Sequence, residues 1–225
     1  MSTPALRERR SRLSRLLAPL GALHHSEVRL PRAARLVDVL AELGGPAASL
    51  LDVGAGDGLV GAALAQRLGA ELALGVDVAP QPGAALPTLA YDGARLPLED
   101  RSYELVVLSD VLHHAEDPLL LLRESLRVAS RAVLLKDHLA FSPITHALLW
   151  AMDLAGNLEQ GVEVRARYFD PASLSATLEA AGGELVALRW PLEVHSPALG
   201  RVLPSRIQFA ASLRRRGHAA PTERA

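Results

Sequence analysis

The sequence predicts an α/β fold: a mostly parallel sheet of seven strands, doubly wound, with helices on both faces and a helical N-terminal extension. Three observations predict it. The apolar run Leu50–Val53 ends in a glycine-rich turn, Gly54-Ala55-Gly56-Asp57-Gly58, and a helical pattern follows at Leu59, Val60, Ala63, Leu64 and Leu68. A second apolar run, Leu72–Val76, ends on the acid Asp77. Strand-like and helix-like periods then alternate as far as residue 137, which is the signature of βαβ units.

Taken in order, residues 1–20 carry Arg7, Arg9, Arg10, Arg12 and Arg15 between Leu6, Leu13, Leu16 and Leu17. This is a basic amphipathic helix, read as a surface helix packed on the domain; a targeting peptide has a similar composition. No long apolar segment follows these arginines, so no secretory signal is expected. Pro31 opens a second helix to Leu43, apolar at Ala33, Leu36, Val37 and Leu40, and Gly44-Gly45-Pro46 ends it. Leu50–Val53 is the first strand. Its turn is rich in glycine because the backbone reverses sharply and a ligand must approach it without a Cβ in the way.

The helix Gly58–Leu68 leads to the second strand, Glu71–Asp77. Pro80, Pro82, Gly83 and Pro87 keep any following helix short. Thr88–Tyr91 is a short third strand ending at Asp92-Gly93, and Glu104–Ser109 is the fourth. Asp117-Pro118 caps a helix to Val128, and Arg131–Lys136 is the fifth strand. Pro143–Gly156 is a strongly apolar helical segment, read as a core helix or as a lid over a greasy substrate. Asp170-Pro171 starts a helix that ends at Gly182-Gly183; Glu184–Trp190 and Ile207–Leu213 are the last two strands. The expected organisation is residues 1–45 flanking the pocket and one domain over 46–213. That domain carries an apolar insertion at about 142–157, and a solvated tail follows at 214–225.

The chain has 225 residues, 49% of them hydrophobic, and a formal net charge of −1, so no bulk field draws it to nucleic acid or anionic lipid. Cysteine is absent, which excludes disulfides, thiolate metal sites and a cysteine nucleophile. Lys136 is the only lysine among 24 basic residues; the arginine excess reads as codon bias rather than function. No apolar run reaches the roughly 18 to 20 residues that span a bilayer, and a cytoplasmic protein is expected.

The glycines alone admit two readings. Gly54-x-Gly56-x-Gly58 after Asp52 resembles the first motif of class I S-adenosylmethionine (SAM) methyltransferases, whereas Gly56-x-Gly58-x-x-Gly61 satisfies the dinucleotide fingerprint. An acid about 20 residues on, here Asp77, suits ribose hydroxyls in either case. Three further stretches favour the first. They are Gly75-Val76-Asp77-Val78; Tyr91-Asp92-Gly93-Ala94 with Leu96-Pro97-Leu98; and Ser109-Asp110-Val111-Leu112-His113-His114 with Asp117-Pro118 and the helix Leu122–Val128. Together they resemble the small-molecule branch called methyltransferase type 11, similar to ubiquinone and menaquinone biosynthesis enzymes. The fold implied is the Rossmann-like class I methyltransferase fold.

The resemblance implies roles by position. Gly54, Ala55 and Gly56 would let the backbone approach the methionine and ribose parts of SAM. Asp77, with Val78 after it, would accept from both ribose hydroxyls, since an ionised carboxylate is acceptor-only. Asp92 would accept from the adenine amino group, with Gly93 and Ala94 facing the ring. Ser109 would border the reacting methyl, and Asp52 would anchor the SAM ammonium. His24, His25 and Arg29 read as surface residues, with closure over the amino-acid end of SAM as the alternative. The fifth strand ends Lys136-Asp137-His138, near where ligands lie beyond strand carboxyl ends. An Asp beside a His can orient and polarise it. His138 with Asp137 is therefore the first candidate for a general base, and His113 or His114 the second. No metal is expected, because the histidines form no recognised ligand pattern.

The expected activity is methyl transfer to a small acceptor, lipophilic or aromatic in view of Ile144–Leu154, with O- or C-methylation favoured. The alternatives are an NAD(P)-dependent oxidoreductase on the same sheet, and a SAM-binding partner or cyclisation protein that does not methylate.

Overall fold

The computed structural model describes residues 30–157, 165, 167–195 and 204–217. The basic segment 1–20, together with His24, His25 and Arg29, lies outside the described residues. So does the tail from residue 218.

Helix α1 (Leu30–Gly44) precedes strand β1 (Ser49–Val53), followed by α2 (Leu59–Leu68), β2 (Leu72–Asp77), β3 (Thr88–Ala90) and β4 (Tyr103–Ser109). A single 3-10 turn (Leu112–His114) leads to α3 (Pro118–Val128) and the long β5 (Ala129–His138). Then come α4 (Pro143–Asn157), α5 (Pro171–Ala180), β6 (Gly183–Arg189) and β7 (Gln208–Arg215). The strands form one sheet in the order β3-β2-β1-β4-β5-β7-β6. The pairs among β1 to β5 are parallel; β7 runs antiparallel to both β5 and β6.

Strands of a parallel sheet are covered on both faces and so read as continuous apolar runs. The side-chain period of two distributes them. Leu51, Val53, Val106, Leu108, Val133 and Leu135 belong to one core with residues of α3 and α5. Leu50, Leu105, Val107 and Leu134 belong to a second core with residues of α1 and α2. Local chemistry closes the elements. Asp117 accepts the Leu120 N–H and Asp170 the Ser173 N–H, so both acids act as N-caps, each followed by Pro at the first helical position. Arg131 donates to the carbonyls of Gly44 (2.5 Å) and Pro46 (2.8 Å), satisfying the C-terminal end of α1.

Two boundaries differ from the sequence reading, and a third element, expected as a helix, proves two-faced. β5 continues through Asp137 and His138, where the strand was expected to stop at Lys136. Register with Phe209 and Gln208 of β7 holds both residues in the sheet. β7 runs to Arg215, so Arg214 is not part of a solvated tail: it pairs in register with Glu184 and donates to both of its carboxylate oxygens at 2.9 Å. The apolar segment 143–156 forms α4 as one helix, and its faces divide. Leu149 is buried, with Leu148 and Met152 packed in a small cluster that includes Tyr168, while Ile144 and Trp150 are exposed.

Candidate active site

The glycine turn sits at the carboxyl end of β1. Gly54, Gly56 and Gly58 all have positive φ (70°, 56° and 71°), a conformation that L side chains rarely adopt. At Gly54 a Cβ would also fall 2.5 Å from Val111 Cγ2. Asp77, at the tip of the neighbouring strand, fastens this loop: Gly56 N–H donates to its Oδ2 and Ala79 N–H to its Oδ1, each at 2.8 Å. Gly54 and Ala55 donate to the Val76 carbonyl at 2.8 and 3.2 Å. Strand alternation turns Asp52 the other way, beneath the start of α2, where it is only 3% exposed. There Gly61 leaves it room, because a Cβ on Gly61 would lie 2.3 Å from Asp52 Oδ2. Burial, with Asp77 nearby, pushes the Asp52 carboxyl up to about 7.

Asp92 follows β3. Its Oδ1 accepts from the N–H groups of Ala94 (2.8 Å) and Arg95 (2.9 Å), which hold its carboxyl below the usual range. Gly93 has φ 82° and lies against Val78, an apolar side chain left 63% exposed at the end of β2. The next stretch is pinned from α3: Glu124 accepts the Leu96 N–H, and Arg127 donates to Glu124, Asp100 and the Leu96 and Leu98 carbonyls. Asp77, Asp92 and the glycine turn thus line one edge of the sheet at its carboxyl end.

Ser109, at the tip of β4, pairs in register with Lys136 of β5. Beyond it the titratable groups divide into two sets, because β5 alternates. Asp137 points to the face of Val133 and Leu135, and Lys136 and His138 to the face of Leu134. The sequence reading pairs Asp137 with His138; the structure pairs Asp137 with His113. His113 Nδ1 lies 2.5 Å from Asp137 Oδ1, while the His138 ring nitrogen stands 3.8 Å away. Asp137 touches His138 through the backbone, accepting its N–H at 2.7 Å.

On the Asp137 face, His113 is fully buried and its Nε2 lies 3.2 Å from Asp153 Oδ2 of α4. Burial alone lowers a histidine, but the carboxylates of Asp137 and Asp153 outweigh it and push His113 up to about 10. The His114 ring packs at a tilt of 44° against His113, with ring centroids 4.0 Å apart. Burial and the neighbouring imidazole lower it. Tyr168 donates its hydroxyl to Asp153.

On the other face, Lys136 is fully buried with its ammonium on Asp110. Arg32 of α1 reaches the second oxygen of Asp110 at 2.6 Å. Asp110 has φ 58°, a left-handed conformation for a non-glycine residue, and this turns it out of the β4 alternation toward Lys136. Burial opposes ionisation of Asp110, but Lys136, Arg32 and His138 hold its carboxyl well below the usual range. Burial pulls Lys136 down to about 8. His138, buried beside this ammonium, is held well below an ordinary histidine and is neutral at pH 7.

Sequence reasoning missed Arg32, Asp153 and Tyr168 as members of this site, and used Asp110 and Lys136 only as motif letters. A solitary lysine inside an apolar strand, opposite an acid at the next strand tip, was the available signal.

A sheet ordered 3-2-1-4-5-7-6 with one antiparallel strand, and a glycine turn clasped by the acid of the adjacent strand, defines the class I SAM-dependent methyltransferase fold. A dinucleotide-binding Rossmann sheet ends instead in a parallel sixth strand. The chain belongs to the family described as methyltransferase domain, whose pattern matches residues 12–188. Among solved structures it is similar to a Mesorhizobium loti SAM-dependent methyltransferase (18% identity, 80% of this chain and 96% of that one, TM-score 0.57). It is similar to the 4+2 cyclase SpnF (18% identity, 80% of each chain, TM-score 0.57). It is also similar to a chain from the complex of the Haloferax volcanii Trm112 methyltransferase activator with its methyltransferase partner (15% identity, 86% of this chain and 92% of that one, TM-score 0.61). No curated protein sequence matches it. Among the described residues, no helix is long and apolar enough to cross a membrane.

Proposed function

We propose that this protein transfers the sulfonium methyl of SAM to a hydroxyl or enol-like carbon of a small, lipophilic or aromatic acceptor. The observation that carries the reading is the clasp of Asp77 on the Gly56 N–H, with Asp92 and the exposed Val78 along the same edge. In this reading the free lone pairs of Asp77 accept from the ribose hydroxyls. Asp92 takes the adenine amino group, with the ring beside Val78, Gly93 and Ala94. Gly54 and Ala55 leave space for the methionine part, and Asp52 meets the ammonium directly or through water. Ser109 borders the methyl.

The acceptor lies over the tips of β4 and β5. There His138, neutral and buried, takes the proton of a hydroxyl acceptor as its oxygen attacks the methyl carbon and the C–S bond breaks. The carboxylates of Asp137 and Asp153 draw His113 up to about 10, so it is not the proposed base. Positioning and exclusion of water supply the rest of the acceleration. No nucleic-acid partner is proposed, in keeping with the net charge of −1.

The test is release of S-adenosylhomocysteine, with label from methyl-tritiated SAM appearing in a panel of phenols and enols. His138→Ala lowers kcat on hydroxyl acceptors by about 10²-fold or more and leaves SAM affinity unchanged. Failure of calorimetry to detect SAM binding overturns the reading. A second reading, a SAM-binding cyclisation catalyst, is supported by the likeness to SpnF; consumption of a polyene substrate with no S-adenosylhomocysteine released would select it.

A further inference from the structure

The His113 cluster carries more than a proton-relay reading requires. His113 Nε2 and His114 Nδ1 are buried nitrogens without a hydrogen-bond partner. Nε2 does approach Asp153 Oδ2 to 3.2 Å, but off the line that an N–H···O bond needs. One donor atom from each of His113, His114 and Asp153 lies within 4.8 Å of the others. Two ligand atoms at about 2.1 Å from a tetrahedral zinc ion stand about 3.4 Å apart, close to the 3.2 Å between His113 Nε2 and Asp153 Oδ2.

The surroundings match those of a metal-bound histidine. The Asp137 carboxylate holds the Nδ1 of His113 at 2.5 Å, which fixes the ring and leaves Nε2 facing the cluster. Tyr168 donates to Asp153 Oδ2, the same oxygen that approaches His113 Nε2, and so fixes that oxygen's position.

We propose that His113 Nε2, its proton released to solvent as the cation binds, His114 Nδ1 and the Asp153 carboxylate bind one divalent transition-metal cation, with Asp137 and Tyr168 as its supporting shell. Two imidazoles and one carboxylate are the donor set of open zinc and iron(II) sites, where the remaining positions take water or an oxygen ligand. Thiolate contributes nothing, since the chain has no cysteine. The natural ligand of the open position is an oxygen of the acceptor, a phenol, enol or carboxylate. This last clause rests on the methyl-transfer reading; the cation site does not. The ring of His138 lies 5.5 Å from that of His113.

The experiment uses the full chain, purified with chelator and dialysed, then titrated with Zn²⁺ by calorimetry and with Co²⁺ by visible absorption, in the absence of SAM. One ion per chain is expected, with Co²⁺ d–d bands of a four- or five-coordinate site. His114→Ala and Asp153→Asn are each expected to weaken binding at least tenfold, with the thermal transition still cooperative. Tyr168→Phe, which keeps the ring but loses the outer hydrogen bond, should weaken it less. Absence of stoichiometric binding overturns the proposal, and so does binding that both ligand variants leave intact. Because the readout is metal alone, loss of SAM binding in a parallel titration would count against the methyl-transfer reading and not against this one.

Discussion

Asp52→Asn isolates the cost of a buried carboxylate. In the unfolded chain Asp52 ionises near its ordinary value of 3.8, whereas in the fold, 3% exposed, it stays protonated to about 7. Between those values the folded state holds one proton more than the unfolded state, so stability falls as pH rises and the full penalty is present above pH 7. Three pH units at about 1.4 kcal/mol each give roughly 4 kcal/mol, an upper figure for a site this buried. Asn keeps the shape, accepts the Gly61 N–H through its amide oxygen, and does not ionise. At pH 8 the variant is therefore expected to be the more stable, by up to roughly 10 °C in a chain of this size. The advantage should shrink to nothing below about pH 4. The assay is urea or thermal denaturation across pH 4 to 9. Parallel stability curves for the two proteins would refute the reasoning, because they would mean that Asp52 titrates alike folded and unfolded. If the SAM ammonium meets Asp52, SAM binding near pH 6.5 should release a proton in the parent and none in the variant, read by calorimetry in buffers of different ionisation enthalpy.

Asp77→Ala removes the acceptor proposed for both ribose hydroxyls as well as the clasp on Gly56. At about 1.5 kcal/mol for each charge-assisted bond, SAM affinity should fall roughly a hundredfold; a calorimetric Kd within twofold of the parent would rule that role out. Gly61→Ala places a methyl 2.3 Å from Asp52 Oδ2 and 2.7 Å from Leu86 Cδ1, so a melting temperature lowered by several degrees, about 2 kcal/mol, is expected. Asp110→Ala strands the Lys136 ammonium in the core and should cost about 3 to 5 kcal/mol in chemical denaturation. Adding Lys136→Met should restore most of that loss, and a double variant no better than the single one would show that the pair is not coupled.

The architecture could be read from the chain because periodicity and punctuation agreed. Gly54 to Gly58, Asp77 and Asp117-Pro118 each mark a strand or helix end that the structure places within a residue or two. The parts of the edge proposed for SAM could be placed from the sequence for the same reason, since they are backbone turns and strand-end acids, which are local features. The acceptor side was not. Whether Asp137 serves His138 or His113 depends on how far β5 extends, and that is decided by its pairing with β7 some 70 residues later in the chain, at Phe209 and Gln208. Likewise Arg32, Asp153 and Tyr168 reach the strand tips from three separate elements, and no spacing in the sequence encodes that meeting.

β5 presents aliphatic side chains to both cores, Val133 and Leu135 to one and Leu134 to the other, so the hydrophobic interior scarcely distinguishes its two sides. Only the three polar residues at its end do. Loss or gain of a single residue within this strand would exchange the partners of Lys136, Asp137 and His138 while leaving nearly as much grease on each side. A lineage carrying such a slip would keep the sheet and its glycine turn yet present an inverted set of charges beyond the tips of β4 and β5.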